Sequence, residues 1–91
     1  MIEEKIVITI TNKLGLHARA AAKFVATASK FTSELSVVKH NQCVNGKSIM
    51  GVMMLAASQG TELELQASGD DAPEMLKSMC QLINDKFGEP E

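Results

Sequence analysis

His17 is the residue of this 91-residue sequence best suited to covalent chemistry, because it stands directly before a predicted helix. An alanine-rich stretch predicts that helix from Ala18 to about Lys30. The first turn of a helix presents unpaired backbone N–H groups and about half a unit of positive charge. A phosphoryl group on His17 would accept hydrogen bonds from those amides, with the Arg19 side chain close by as a charged donor.

The same position suits a group that must be accepted and released again. The positive helix end favours neutral imidazole, which is the nucleophilic form, and imidazole is a good leaving group from phosphorus. The pattern therefore predicts reversible phosphoryl transfer at His17. The plain alternative is a histidine that caps a helix or lies on the surface.

A second group of residues surrounds Ser48, which precedes a short methionine-rich helix predicted between Lys47 and Ala57. Ser48 has the side chain of a good helix N-cap. A helical projection places Val52, Leu55 and Ala56 on one side, facing the sheet, and leaves three apolar side chains outward (Ile49, Met50 and Met53). Outward apolar residues are typical of a partner surface, and methionine adapts to several partners. The alternative is that these methionines simply fill the core.

The remaining elements are predicted from hydrophobic periodicity. Strand patterns cover residues 4–11, 34–40, 43–44 and 61–68; in the first, Ile6, Ile8 and Ile10 share one face. The last helix is predicted to begin at Asp71, whose side chain we expect to cap it, and to run to near the C-terminus. Its expected buried stripe consists of Ala72, Leu76, Met79, Ile83 and Phe87.

The predicted order of elements is βαββαβα, within one domain that spans residues 1–91. Each strand has one apolar face and each long helix has one apolar stripe. The simplest structure that buries both is an α+β open-faced two-layer sandwich, with three helices on one face of a four-stranded antiparallel sheet.

Charge is unevenly distributed along the chain and narrows the classes of partner. Residues 1–50 carry a net charge of +4 and residues 51–91 carry −6, for a total of −2. The basic residues flank both motifs, which favours an anionic ligand or an acidic partner there, although a mixed solvated surface would also explain them. Nucleic-acid binding is disfavoured, because no aromatic residue lies on a predicted strand.

Other classes are disfavoured by what the sequence offers. The two histidines and two cysteines stand far apart, so we expect no metal and no cofactor. No segment has the length or charge pattern of a membrane span or a secretory signal, and the two isolated cysteines are typical of reduced thiols. We therefore expect a cytoplasmic protein that does not insert into membranes.

Both motifs resemble signatures of a known family. The stretch Asn12-Lys13-Leu14-Gly15-Leu16-His17-Ala18-Arg19 resembles the active-site signature of HPr, the histidine-containing phosphocarrier of the bacterial phosphotransferase system. The stretch Lys47-Ser48-Ile49-Met50-Gly51-Val52-Met53 resembles the second HPr signature. Their separation and the order of elements fit as well, so the resemblance extends over essentially the whole chain.

The resemblance implies a mechanism and partners. His17 would be phosphorylated on Nδ1 by phospho-enzyme I, which is itself phosphorylated by phosphoenolpyruvate. It would then donate the phosphoryl group to EIIA-type proteins. Arg19 would contact the phosphoryl group and acidic partner residues. Ser48 would be modified by HPr kinase/phosphorylase in cells that have that enzyme. Docking would use Lys47, Ile49, Met50 and Met53. Such a protein is a stoichiometric carrier rather than an enzyme, and we expect a monomer.

One residue departs from the family pattern, which usually has proline where this chain has Ala20. Alanine leaves the start of the helix freer than proline would. Because the family functions with proline here, which has no amide hydrogen, the resemblance implies that the phosphoryl group is bound by the backbone amides of Ala18 and Arg19. The sequence leaves open a regulatory or nitrogen-related branch of the family that acts mainly by protein binding. Two other classes compete: a carrier with a prosthetic arm on Ser48, which Lys47 and the four strands disfavour, and a non-catalytic binding module, which has no use for His17.

Overall fold

The computed structural model describes residues 2–91 and contains four strands and three α-helices over that range. In chain order these are β1 (Glu3–Thr9), α1 (Ala18–Ala28), β2 (Glu34–Lys39), β3 (Gln42–Asn45), α2 (Ile49–Met54), β4 (Glu62–Ser68) and α3 (Ala72–Asn84). A short 3₁₀ turn, Lys86–Gly88, follows α3. The predicted βαββαβα order is confirmed.

The strands form one antiparallel sheet in the order β1-β4-β2-β3. In the central pair, Val37 of β2 lies opposite Leu65 of β4, and both side chains are buried. Alternation along β4 is complete, because Leu63, Leu65 and Ala67 are buried while the residues between them are not. This buried face is covered by the helices, so the predicted open-faced sandwich is confirmed.

Helix α1 lies between the other two helices and contacts both. Its buried residues, Ala20, Ala21, Phe24 and Ala28, recur at helical spacing and belong to the hydrophobic core. Helix α3 packs on β1 and β4 through Ala72, Met75, Leu76, Met79 and Ile83. Phe87, which we expected on the α3 stripe, is buried but lies beyond the end of the helix, in the 3₁₀ turn.

Several element boundaries and faces differ from the predictions. The first strand runs from residue 3 to 9 rather than 4 to 11, and α1 ends two residues before Lys30. Ile6 lies on the core side of β1 but is 37% exposed, because β1 is an edge strand. Ala56 was expected against the sheet; it is exposed instead, since the chain leaves α2 there with a positive φ of 50°, and Ala57 is buried in its place.

The predicted side-chain cap of α3 is wrong. Asp71 stands at the N-cap position, but its carboxylate makes no hydrogen bond to the helix. The carboxylate instead accepts hydrogen bonds from the backbone amides of Thr32 and Ser33, both at 2.9 Å, and from the Ser33 hydroxyl. Asp71 thereby ties α3 to the loop between α1 and β2. Over residues 2–91, no helix is long and apolar enough to cross a membrane.

Candidate functional site

The loop before His17 is held in place from both sides. Gly15 has a φ of +69°, and a side chain there would collide with the backbone of Ala57 and Ser58, so the position requires glycine. The next residue, Leu16, is buried and donates its amide hydrogen to the Ala57 carbonyl at 2.9 Å. His17 therefore enters α1 from a loop with little freedom.

His17 is the N-cap residue of α1, as the sequence predicted, with an extended backbone (φ −74°, ψ 178°). Its side chain makes no capping hydrogen bond to the helix, so the simple capping alternative is not what the ring does. The first backbone hydrogen bond of the helix runs from the Ala21 amide to the His17 carbonyl at 2.8 Å. The amides of Ala18, Arg19 and Ala20 precede that bond and have no partner inside the helix.

The His17 ring forms a hydrogen bond with a residue near the C-terminal end of the sequence. Its Nε2 atom forms a hydrogen bond with Oε2 of Glu89, and the other carboxylate oxygen of Glu89 accepts a hydrogen bond from Asn12 Nδ2 at 3.0 Å. The hydrogen bond from His17 holds the pKa of Glu89 below its usual range, with a smaller contribution from Asn12, although burial works in the opposite direction. Glu89 is therefore an ionised carboxylate beside the histidine.

An open pocket of about 670 Å³ surrounds this pair. Arg19 is exposed on its wall and forms no ion pair with any residue from 2 to 91, so its guanidinium is free for an anion. Other walls come from the loop before His17 and from the C-terminal segment. The lining residues are Lys13, Leu14, His17, Arg19, Glu89, Pro90 and Glu91.

Three of the lysines that lie near the two motifs in the sequence contact oxygen atoms of the protein. Lys13 pairs with Glu91 at 3.4 Å across an exposed surface. Lys47 donates to the Phe31 carbonyl at 2.7 Å, and Lys39 donates to the Leu55 carbonyl at 2.8 Å. Each of these lysines bonds a protein oxygen, so Arg19 is the cation best placed to meet a charged ligand at His17.

Ser48 and the apolar residues after it lie on α2, which contacts α1. Ser48 is the N-cap of α2, and its hydroxyl accepts a hydrogen bond from the Gly51 amide at 3.1 Å. Val52 and Leu55 face the core, while Ile49, Met50 and Met53 are exposed, as predicted. Met54, 65% exposed, and Leu14, 69% exposed, also present apolar surface, which the sequence interpretation missed.

Two side chains at the site were not singled out from the sequence, Asn12 and Glu89. Asn12 is fully buried, and its Nδ2 also donates to the Gly15 carbonyl at 2.8 Å, so it links the loop to Glu89. Glu89 lies 72 residues from His17 in a segment without periodicity, and no local pattern indicates its position. The sequence indicated Asn12 only as the first residue of the motif that contains His17.

The comparison with known proteins decides the family. The family model described as the PTS HPr component phosphorylation site matches residues 4–85. The chain belongs to the HPr family of the phosphotransferase system. It is 57% identical over 84 residues to phosphocarrier protein HPr from Neisseria meningitidis, covering 92% of this chain and 94% of that one.

Two further relatives show how far the HPr likeness extends. A crystal structure of HPr-C-His from Thermoanaerobacter tengcongensis superposes with a TM-score of 0.93 at 53% identity, covering 97% of this chain and 99% of the other. Phosphocarrier protein NPr from Shewanella violacea is 40% identical over 82 residues, covering 90% of each chain. The sequence resemblance to HPr is thereby confirmed over most of the chain.

Proposed function

We propose that this HPr-family chain is a phosphocarrier that accepts a phosphoryl group on His17 from phospho-enzyme I and passes it to EIIA-type proteins. The observation that carries the proposal is the position of His17 at the N-terminus of the 11-residue helix α1. Backbone amides outside the helical hydrogen-bond pattern and the free guanidinium of Arg19 lie beside it. Names of relatives as similar as the Neisseria HPr support the same function.

The chemical step needs only groups that the site offers. A lone pair of the imidazole forms a bond to phosphorus as the bond between phosphorus and enzyme I breaks. The incoming dianion is neutralised by Arg19 and by the partial positive charge of the helix terminus. The amides of Ala18 and Arg19 are the proposed backbone donors. Both lack partners within α1, and the family pattern has proline, which has no amide hydrogen, at the position of Ala20. The reverse step returns the phosphoryl group to the next acceptor, so the chain acts as a stoichiometric carrier.

Docking and regulation are assigned to α2 and the residue before it. Ile49, Met50 and Met53 form an exposed apolar surface that we assign to enzyme I and EIIA-type partners. Lys47 stays assigned to docking as a positive charge, because its ammonium keeps that charge while it donates a hydrogen bond to the Phe31 carbonyl. Phosphorylation of Ser48 in a cell with HPr kinase/phosphorylase would place a dianion at this surface and repel an acidic partner.

The test is phosphorylation by phosphoenolpyruvate and enzyme I in a purified system. We expect one phosphoryl group per chain, labile in acid and stable in alkali, and lost in His17→Ala. His40→Ala is the matched control, because His40 is exposed in the turn between β2 and β3 and lies outside the pocket. Labelling that persists in His17→Ala, or a phosphate that survives acid, would refute the assignment.

The second candidate is a nitrogen-related or regulatory homologue, which the 40% identity to an NPr supports less strongly than 57% supports HPr. Reconstitution separates the two. A sugar-branch carrier should pass labelled phosphate from His17 to an EIIA of sugar uptake in the presence of enzyme I. A chain that becomes phosphorylated but transfers nothing to that EIIA belongs to the other branch.

A further inference from the structure

The C-terminal segment after α3 folds back over the phosphoryl-transfer pocket and is fixed at several points. Phe87 is buried, and its carbonyl accepts a hydrogen bond from Lys23 Nζ of α1 at 2.7 Å. At the end of the chain, the Glu91 carbonyl accepts a hydrogen bond from the Lys13 amide at 2.8 Å. Glu89 stands between these two anchors, with only 12% of its side chain exposed. The segment is thus a positioned part of the pocket.

Glu89 contributes a group that the family match does not include. The HPr family model covers residues 4–85, and Glu89 lies beyond that range. Both of its carboxylate oxygens are occupied, one by His17 Nε2 and the other by Asn12 Nδ2. Asn12 is itself buried and anchored to the Gly15 carbonyl, so it fixes the orientation of the carboxylate.

The contact determines which nitrogen of His17 carries the proton. An ionised carboxylate only accepts hydrogen bonds, so the hydrogen between Glu89 and His17 belongs to Nε2. In the neutral ring the lone pair is then on Nδ1. Among residues 2–91, none forms a hydrogen bond with Nδ1. The nitrogen that faces no protein partner is therefore the one free to attack phosphorus.

We propose that Glu89 is a positioning residue for His17, holding the Nε2 proton so that Nδ1 is the nucleophile and balancing the charge of the phosphorylated ring. This inference rests on the proposed phosphorylation of His17. When the Nδ1 lone pair forms its bond to phosphorus and the bond from phosphorus to enzyme I breaks, the ring retains its Nε2 proton and becomes positively charged. The carboxylate of Glu89 faces that charge directly.

A tail that lies over an active residue could also act as an inhibitory strap. The geometry disfavours an inhibitory strap, because Glu89 bonds only Nε2. No residue from 2 to 91 forms a hydrogen bond with Nδ1, and Arg19 is exposed on the pocket wall. The two ideas predict opposite effects of removing the charge of Glu89. A strap would slow the wild type, whereas a positioning residue would accelerate it.

Glu89→Gln is the decisive variant. It keeps the size of the side chain but replaces the oxygen that accepts a hydrogen bond from His17 with an NH₂ group that donates one. Asn12 Nδ2 requires an acceptor, so the amide oxygen of Gln at position 89 stays with Asn12 and its NH₂ group faces the ring. That group donates to Nε2 and forces the neutral ring to carry its proton on Nδ1. The nucleophile is then blocked, as when a triad carboxylate is replaced by its amide.

The first measurement is ¹⁵N NMR of the imidazole in the unphosphorylated protein at a pH where the ring is neutral. We expect the Nε2–H form in the wild type and a shift toward the Nδ1–H form in Glu89→Gln. The second is the rate of phosphoryl transfer from phospho-enzyme I, which should fall at least about tenfold. Glu74→Gln is the matched control: it makes the same chemical change, but Glu74 is exposed in the first turn of α3 and lies outside the pocket.

Three outcomes would overturn the inference: an unchanged tautomer in Glu89→Gln, a rate equal to that of Glu74→Gln, or a faster rate than the wild type. Thermal melts of both variants establish that the fold is retained. Failure of the proposed function is recognised separately, since a wild-type protein that is never phosphorylated on His17 would still show the tautomer difference.

Discussion

The carboxylate of Asp71 accepts a hydrogen bond from the backbone amide of Ser33 at 2.9 Å, which joins the start of α3 to the loop before β2. The Ser33 hydroxyl and the Thr32 amide bind the same carboxylate. These bonds, led by that from the Ser33 hydroxyl, lower the pKa of Asp71 from 3.8 to about 2. Ser33 and Asp71 are 38 residues apart in the sequence, so the contact connects two distant segments of the chain.

Replacing Asp71 with Asn should lower the melting temperature at neutral pH, because an amide oxygen cannot accept all three bonds. Since the pKa of Asp71 is depressed in the folded protein, its contribution is complete above about pH 4 and is lost as pH falls toward 2. The difference in melting temperature between wild type and Asp71→Asn should therefore shrink over that interval. Asp70→Asn, at the exposed neighbouring position, serves as the control and should show no such pH dependence. A pH-independent difference would mean that the ionised carboxylate is not what holds the loop.

Short sequence patterns predicted the features that depend on neighbouring residues, such as the buried face of a strand or the start of a helix. The alternation in β4 identified its buried face because neighbouring side chains point to opposite sides of a strand. His17 and Ser48 were recognised as helix N-caps because the residues that follow each are compatible with a helix. The strand order β1-β4-β2-β3 was not predicted, because pairing between distant strands leaves no trace in either strand alone.

Contacts between distant segments account for what the sequence could not predict. The carboxylate of Asp71 could accept hydrogen bonds either from its own helix or from a loop. It binds the loop because the fold brings Ser33 within hydrogen-bond distance, which the sequence does not show. In the sequence, nothing distinguishes Glu89 from an exposed acidic residue. Its contact with His17 depends on the path of the chain after α3, where Phe87 is buried. The hydrogen bond from Lys47 to the Phe31 carbonyl was equally unpredictable, because the long stem of lysine lets its amine reach many different acceptors.

Met53→Glu tests the docking surface on α2. Met53 is 40% exposed, so the charged side chain can remain in water and the fold should be retained, with little change in melting temperature. Transfer from phospho-enzyme I should slow, because the variant removes an apolar contact and adds repulsion toward an acidic partner. Gln66→Glu is the control: it adds the same charge on the outer side of the sheet, opposite the helices, and should leave the rate unchanged. Unfolding of Met53→Glu would show that Met53 belongs to the core.

Ser48 has a structural role that can be separated from its proposed regulatory one. Ser48→Ala removes the hydroxyl that accepts a hydrogen bond from the Gly51 amide. It should lower the free energy of unfolding by about 1 kcal/mol, measured by denaturant titration. Ser48→Asp retains an acceptor at the cap and should preserve stability, yet slow phosphorylation of His17 several-fold through its negative charge. A rate equal to that of Gln66→Glu would mean that charge at Ser48 does not affect docking.

Ala20→Pro tests the one departure from the HPr pattern. Ala20 is the third residue of α1 and precedes the first helical hydrogen bond, so proline deletes no backbone bond of the helix. We expect a gain of about 0.4–1 kcal/mol in the free energy of unfolding, because proline restricts the unfolded chain. The side chain is fully buried, and a loss of stability would show that the surrounding residues leave no room for the ring.

Ala18→Pro separates the stability of the helix start from its role in phosphate binding. Ala18 is the first helical residue, and the extended ψ of 178° at His17 suits a following proline, so this variant should fold. It deletes an amide that we assign to the phosphoryl group, whereas Ala20→Pro deletes one that we do not. Transfer from phospho-enzyme I should therefore slow in Ala18→Pro and stay near the wild-type rate in Ala20→Pro. The reverse order of rates would place the phosphoryl group on the Ala20 amide, one residue further along the first turn of α1.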